Sequence, residues 1–261
     1  PLASTEAVTL ITFLNREGLR PKEDIPDFEN YYAELPSFDY AKQFGMTPEV
    51  TEGTFGPYRD STVVLLLAQL VHPKSRGTVR LNSTDPYDPP LIDPNYYEDP
   101  QDLKDMVEAI KTGIKIATSE PMQKFGARYL DKKVPGCENF SGDEYIECIA
   151  KAVPVTTSHQ VGTATMGDPK DPFTVVDPEL RVKNVKGLRV VDASVMPLVP
   201  YGNTNIPTIM VAEKGSDIIK KSIKCDKIVP LVSRDDPNSP NWRWFCRCRG
   251  CQSSLSVVFV K

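Results

Sequence analysis

The sequence contains little histidine and no long apolar run. Only two of its 261 residues are histidines, His72 and His159, so an imidazole with a chemical role must be one of these two. The most apolar stretch, residues 61–71, is much shorter than the roughly 20 apolar residues that a membrane helix needs. This stretch is therefore predicted to be a strand of the core, and no membrane span is predicted.

Three further patterns are absent from the sequence. Lys and Arg form no dominant basic block and the net charge is −4, which argues against a nucleic-acid-binding surface. No Gly-x-Ser-x-Gly segment is present, which disfavours a hydrolase that would use Ser158 or Ser194 with His159 and Asp192. No Gly-x-Gly-x-x-Gly turn, which commonly holds the ADP part of a dinucleotide, is found either.

Local signals predict several elements in the first part of the chain. Asp99 followed by Pro100 is typical of a helix start, and apolar residues recur behind this pair at helical spacing. Residues 61–71 and residues 78–81, which begin with the β-branched pair Thr78 and Val79, flank a Pro-Lys-Ser-Arg-Gly turn. This pattern predicts that the two segments pair as antiparallel strands. Residues 1–60 have weak periodicity and are predicted to be loops with one or two short elements.

Most residues that could carry out chemistry lie between positions 156 and 213. His159 stands beside Val-Gly-Thr, whose small and β-branched residues favour a tight, rigid backbone and suit a positioned base. Residues 187–192 are predicted to form a buried strand that ends at an aspartate. Asn205 is predicted to cap a helix with Pro207 in its first turn. The N–H groups of such a helix start favour an anion or an electron-rich ring.

In this order, these residues resemble the carboxyl-terminal signature of the glucose–methanol–choline family of flavin oxidoreductases. The pattern His-x-x-Gly-Thr-x-x-Met-Gly occupies residues 159–167, and Gly-Leu-Arg-Val-x-Asp-x-Ser occupies residues 187–194. The similarity continues upstream through residues 72–79 and 93–96 and covers roughly residues 1–222. The pattern is most similar to glucose-dehydrogenase-like members from arthropods.

The resemblance implies FAD as the cofactor, oxidation of the CH–OH group of an alcohol or a sugar, and quinone or oxygen as the electron acceptor. It makes His159 the base that removes the hydroxyl proton while a hydride passes to flavin N5. Counting back from the final helix makes Asn203 the second polar residue at the substrate, although either Asn203 or Asn205 could cap the helix, with the other as the ligand. The positions expected to contact FAD are Asp192, Ala193, Asn205 and Ile206.

The fold class that the resemblance implies is α+β. An antiparallel sheet covered by helices would form a substrate domain in residues 61–155. It would follow a loop-rich segment in residues 1–60 that contains one strand near residues 27–32. Residues 156–222 would return to an FAD-binding α/β domain and contribute one strand and the last helix. The amino-terminal dinucleotide-binding part is expected to be missing, since the chain lacks the glycine-rich turn, an initiator Met and a signal peptide. Residues 223–261 diverge and are predicted to be a disordered tail.

One alternative is a truncated fragment that cannot bind FAD alone and is catalytically silent, with apolar surface exposed around Val190 and Ile209. The resemblance also implies a secreted protein, in which Cys137 and Cys148 could form a disulfide; two buried thiols are the other possibility. The tail carries a Cys-x-Cys-x-x-Cys pattern in residues 246–251. No histidine or fourth nearby cysteine completes a zinc site there, so no metal is predicted.

Overall fold

A computed structural model divides the chain into two compact units, Pro1–His159 and Gln160–Lys261, and each is described by itself. The division falls just inside the segment 156–222 that is predicted to return to the cofactor domain. The domain boundaries of the sequence analysis remain predictions. The structure describes residues 8–15, 25–35, 45–59, 61, 63–130, 132–222, 227–231 and 243–247.

The first unit contains a three-stranded antiparallel sheet in the order β1-β2-β3. Its strands are β1 (Val8–Leu14), β2 (Phe28–Leu35) and β3 (Val63–Leu70). The central strand β2 buries Phe28, Tyr31 and Tyr32, as expected for aromatic residues on a pleated sheet. The register places Glu29 opposite Phe13 of β1 and opposite Gln69 of β3.

The core strand predicted in residues 61–71 is confirmed as β3, but its predicted partner is wrong. β3 pairs with β2, whereas β4 (Thr78–Arg80) pairs with β5 (Leu91–Asp93) in a separate two-stranded ribbon. The loop between β3 and β4 is held instead by the helix Pro100–Ala117, because the backbone N–H groups of Lys74 and Ser75 donate to the buried Asp102 carboxylate. The chain therefore leaves the sheet at this loop instead of folding back along β3.

Residues 1–60 were predicted to be loops with one or two short elements, and the strand that the resemblance implies near residues 27–32 is confirmed as β2. These residues supply β1, β2 and the helix α1 (Pro48–Phe55). In the edge strand β1, Leu10, its neighbour Ile11 and Phe13 are each about half exposed. Consecutive apolar residues therefore give this strand no clear alternation in sequence. The sheet thus includes two strands that lie before the predicted substrate domain.

The helix α2 (Pro100–Ala117) covers the sheet, and its predicted start is confirmed. The Asp99 side chain accepts a hydrogen bond from the N–H group of Gln101, and Pro100 is the first helical residue. The helix approaches β3 so closely at Gly113 that a Cβ atom there would lie 2.6 Å from the Leu66 side chain. Polar side chains of β2 also donate to the α2 backbone, since Asn30 Nδ2 reaches the carbonyl oxygen of Ala109 at 3.1 Å.

A second set of contacts joins α2 to α4 (Gly142–Ala152), after the short helix α3 (Glu120–Gln123). Ser141 is the residue that precedes α4. Cys137 and Cys148 form a disulfide, so the open choice between a disulfide and two thiols is settled in favour of the bond. Cys137, Tyr145 and Ile146 form a buried cluster. The apolar stripe of α2, with Val107, Ile110 and Ile114, packs against this cluster.

The second unit is built mainly from turns and bridges around a small apolar cluster. Val176, Leu180 and Val195 are its buried members, and Val190 and Val191 pack against them. Its helical elements in the described ranges are a 3₁₀ turn, Ala193–Val195, and the helix α5, Asn205–Ser222.

The buried strand predicted for residues 187–192 is wrong. The structure forms a single antiparallel bridge there, between Arg181 and Arg189. The two hydrogen bonds that flank this bridge run from the N–H of Val182 to the carbonyl of Leu188 and from the N–H of Val190 to the carbonyl of Leu180. These bonds close a short turn, so no continuous ladder develops.

In the region predicted to be a disordered tail, the structure describes two antiparallel strands, β6 (Lys227–Leu231) and β7 (Arg243–Arg247). The other tail residues, including Cys248 and Cys251 of the cysteine pattern, lie outside the described residues. Within the described part of the chain, no cluster of three or more His, Cys, Asp or Glu side chains is arranged to hold a metal ion. None of the described helices is long and apolar enough to cross a membrane.

Candidate active site

His159 is the last residue of the first unit, and a short polar turn positions it. The preceding residue, Ser158, has a φ of 63°, and its N–H group donates to Thr156 Oγ1 at 3.0 Å. This turn brings Thr157 Oγ1 to 3.2 Å from His159 Nδ1. One ring nitrogen of His159 is therefore engaged by the protein, which orients the imidazole.

The half-buried position of His159 also sets its charge state. Burial lowers the pKa of this imidazole below its ordinary value of 6.5, because desolvation disfavours the charged form. The ring is therefore neutral near pH 7. A neutral imidazole is the form that can accept a proton.

Two of the motifs recognised in the sequence lie side by side in the second unit. Ala164 N–H donates to the carbonyl oxygen of Ser194 at 3.0 Å, and Met166 N–H donates to that of Val195 at 2.9 Å. Gly162, with a φ of 92°, lies where a Cβ atom would come to 3.4 Å from the backbone oxygen of Met196. Glycine is therefore suited to this turn both by its positive φ and by the close backbone approach.

Asp192 begins the 3₁₀ turn and shapes it. Its Oδ1 atom accepts a hydrogen bond from the N–H group of Ser194 at 2.8 Å and a second, short one from the Ser194 hydroxyl. Both Asp192 and Ala193 are half-buried. Because the Ser194 hydroxyl donates to this carboxylate, it is not activated by a histidine, which further disfavours the hydrolase alternative.

The helix α5 begins beside this turn, and its first residues are accessible. The prediction that Asn205 caps the helix is wrong, because the helix begins at Asn205 and the carbonyl oxygen of Thr204 accepts the first hydrogen bond, from Thr208 N–H at 2.9 Å. Thr204 is buried, whereas Asn203 and Asn205 are exposed. Pro207 falls in the first turn, as predicted.

An exposed apolar face accompanies this helix start. Ile206 is 70% exposed, and Ile209 and Met210 are exposed as well. Apolar surface was expected around Val190 and Ile209, and the expectation is correct for Ile209 alone, because Val190 packs in the cluster of the second unit. The helix is held against that cluster at Gly215, where a Cβ atom would lie only 2.5 Å from Val191 Cγ1.

The structure places the predicted cofactor residues Asp192, Ala193, Asn205 and Ile206 on two neighbouring elements of the second unit, the 3₁₀ turn and the start of α5. Asn203 belongs to the same unit, and His159 to the first. Thr157, which contacts His159, was not identified from the sequence. Gln69, which bonds Thr157, and Glu29, which bonds Gln69, were also missed. Their signal was weak, since Gln69 and Glu29 are single polar residues inside apolar or aromatic strands and Thr157 lies in a polar turn.

His72, the other histidine of the chain, lines a polar cavity of the first unit. The cavity has a volume of about 230 Å³ and is lined by Asp27, Leu70, His72, Lys74, Gln101 and Asp105. Burial lowers the pKa of His72, and the nearby Asp27 carboxylate partly offsets this effect. A structural role for His72 at the end of β3 agrees with its position before Pro73.

Comparison with known proteins identifies relatives over most of the chain. Residues 73–212 match a family model described as GMC oxidoreductase. A glucose dehydrogenase (FAD, quinone) from Drosophila pseudoobscura pseudoobscura is 37% identical over 203 residues, covering 77% of this chain and 31% of that protein. An alcohol dehydrogenase (acceptor) from Pseudomonas putida is 47% identical over 203 residues, covering 78% and 33%. The chain thus spans about a third of the length of these curated relatives.

Solved structures give the same result. The chain is similar to pyridoxine 4-oxidase from Mesorbium loti with a TM-score of 0.61 and 25% identity, covering 79% of this chain and 36% of that chain. It is similar to a formate oxidase from Aspergillus oryzae RIB40, studied for FAD modification, with a TM-score of 0.60 and 28% identity, covering 77% and 32%.

Proposed function

Because the chain belongs to the GMC oxidoreductase family, we propose that it takes part in the FAD-dependent oxidation of a CH–OH group in an alcohol or a sugar. The names of its relatives support this substrate class, since they include a glucose dehydrogenase, an alcohol dehydrogenase and a choline oxidase. The observation that carries the proposal is the neutral, oriented imidazole of His159 within the family pattern.

Removal of the hydroxyl proton is the step assigned to His159. Its Nδ1 atom faces Thr157 at 3.2 Å, so Nε2 is the nitrogen proposed to receive the proton from the substrate. A base of this kind typically contributes about 10²–10⁴-fold to the rate. Asn203 is proposed to hydrogen-bond the substrate oxygen, a positioning role that an amide performs without changing its own charge.

The second unit is proposed to hold FAD, and the residues present fit this group. Ile206 is 70% exposed directly beside the first-turn N–H groups of α5, which have no acceptor within the helix. An exposed apolar side chain next to such donors suits a planar ring with a polar edge. When bound, FAD supplies the acceptor for the hydride. The electrons are proposed to pass on to a quinone or to oxygen.

Asp192 and Ala193 are the other proposed contacts with the cofactor. Both hydrogen bonds from Ser194 go to Oδ1 of Asp192, so Oδ2 is the oxygen proposed to contact FAD.

Extracellular localisation is proposed for the protein, supported by the Cys137–Cys148 disulfide, because disulfides persist in oxidising compartments.

The experiment that tests this proposal has two stages. The full chain is incubated with excess FAD and desalted, and retained flavin is measured by its visible absorption; retention by the parent and its loss in Asp192→Ala would support the cofactor site. A colourless parent protein would contradict FAD binding by this chain alone and favour the silent alternative.

In the second stage, flavin-loaded protein is assayed with candidate alcohols and sugars and a dye acceptor. His159→Ala should lower kcat by about 10²–10⁴-fold while retaining the flavin. His72→Ala is the matched control, because His72 lies outside the proposed site. An equal loss in both variants, or an unchanged kcat in His159→Ala, would contradict the role of His159.

A further inference from the structure

A chain of four polar side chains connects the interior of the first unit to His159. Glu29 of β2 is 0% exposed and lies directly opposite Gln69 of β3 in the sheet. Gln69 Nε2 donates to Glu29 Oε2 at 3.3 Å, and Gln69 Oε1 accepts from the Thr157 hydroxyl at 2.8 Å. Thr157 Oγ1 in turn lies 3.2 Å from His159 Nδ1.

The orientation of the Gln69 amide follows from its partner in the sheet. An ionised carboxylate only accepts hydrogen bonds, so the end of Gln69 that faces Glu29 must be the NH₂ group. Burial raises the pKa of Glu29, and a hydrogen bond from Tyr31 partly opposes this effect. A protonated carboxyl group still retains one oxygen that only accepts, so the same amide orientation is compatible with both states.

The amide orientation then determines where the Thr157 proton lies. The end of Gln69 that faces Thr157 is its carbonyl oxygen, so the single proton of the Thr157 hydroxyl is used in donating to it. Toward His159, Thr157 Oγ1 can only accept. Nδ1 must therefore carry the proton in this contact, and in a neutral ring Nε2 is left unprotonated.

We propose that Glu29, acting through Gln69 and Thr157, is a positioning residue that holds neutral His159 in the Nδ1–H tautomer with Nε2 free to accept a proton. Without Glu29 the Gln69 amide could turn over and donate to Thr157, and the Thr157 hydroxyl would then donate to Nδ1. That arrangement favours the Nε2–H tautomer, which cannot act as a base at Nε2. The catalytic meaning rests on the proposed function, but the tautomer itself does not.

The tautomer can be measured directly because the chain has only two histidines. The full chain, labelled with ¹⁵N-histidine, is examined by long-range ¹H–¹⁵N correlation spectroscopy at a pH well above the ordinary imidazole pKa of about 6.5. His72→Gln assigns the remaining signals to His159. The unprotonated ring nitrogen resonates far downfield of the protonated one, so the spectrum distinguishes Nδ1–H from Nε2–H without FAD or substrate.

Three variants test the chain of bonds. Glu29→Leu and Thr157→Val should each shift the tautomer ratio toward Nε2–H by about 2- to 12-fold, the factor that one net hydrogen bond provides. The exchange variant Glu29→Gln/Gln69→Glu keeps one carboxylate in the pair and places it beside Thr157. Since that carboxylate can only accept from Thr157, the exchange variant should retain the Nδ1–H form.

The control is Thr118→Val, which removes a half-buried hydroxyl that donates to the Ile114 carbonyl of α2. It should leave the His159 spectrum unchanged. Thermal unfolding checks that each variant is folded, and Thr157→Val tests the same link if Glu29→Leu does not fold. A parent spectrum dominated by Nε2–H, or an unchanged ratio in the folded variants, would overturn the proposal. Failure of FAD binding would leave this measurement intact, so the two proposals can fail separately.

Discussion

The Asp102 carboxylate is expected to be one of the largest single polar contributions to the stability of the first unit. It is only 3% exposed and accepts backbone hydrogen bonds from Lys74 at 2.8 and 3.0 Å and from Ser75 at 2.7 Å. These bonds hold the loop after β3 against the first turn of α2. Replacement Asp102→Asn preserves the shape of the side chain and removes its charge and one acceptor oxygen.

The cost of Asp102→Asn can be estimated from the two backbone donors that the carboxylate serves. The amide oxygen can keep one donor, but as a neutral bond, which is about 1 kcal/mol weaker than the charged one. The other donor then faces the amide NH₂ group, and loss of its charge-assisted bond costs about 1.5–3 kcal/mol. The free energy of unfolding should therefore fall by about 2.5–4 kcal/mol.

Urea unfolding followed by circular dichroism measures this change. Asp105→Asn is the matched control, because Asp105 lies on the same helix, is only half-buried and accepts a side-chain hydrogen bond from Gln101 at 2.8 Å. A loss of less than about 1 kcal/mol relative to this control would show that the loop donors are satisfied by water after the substitution, and the reasoning from two backbone bonds would be refuted.

Three further outcomes are expected. The lowered pKa of His159 should place the acidic limb of kcat/KM below about pH 6.5, because the base works only when neutral; a limb above that pH in a pH–rate profile would contradict the assignment. Replacing Cys137 and Cys148, which are separated by 11 positions, with serine should cost about 3 kcal/mol in urea unfolding, and an equal stability of parent and variant under oxidising conditions would contradict this. Gly215→Ala should displace the start of α5, because its Cβ atom would lie 2.5 Å from Val191 Cγ1, and flavin retention should weaken; unchanged retention would show that the helix adapts.

Patterns whose signals are short in sequence were predicted correctly. Asp99 and Pro100 mark the start of α2 because a capping side chain and a fixed φ act within a few residues. The helix from Asn205 to Ser222 was predicted for a similar reason, although Thr204, and not Asn205, is the residue that precedes it. The family resemblance rests on linear motifs of this kind, so residue identity and spacing are enough to recognise it.

Strand pairing was predicted less well, because the local sequence of a strand does not specify which other strand pairs with it. The apolar run of β3 predicted a strand but not that its neighbour would be β2, which lies well before it in the chain. Likewise, residues 187–192 have strand-like composition, yet the bonds from Val182 and Val190 close them into a turn. In the first case a strand well before β3 in the chain is its partner, and in the second hydrogen bonds to residues within ten positions replaced the local strand preference.

The sequence alone was sufficient to recognise the family and to predict the two long helices, because both depend on residue identity and short spacing. The roles of His159, Asn203 and Asp192 stay predictions. The hydrogen-bond partners of His159, in contrast, were determined only by the tertiary structure. Glu29 and Gln69 meet because two strands pair in one register, and Thr157 joins them from a turn 88 positions away. Hydrogen-bond direction depends on which atoms face each other in space, so the protonation of the imidazole follows from tertiary contacts.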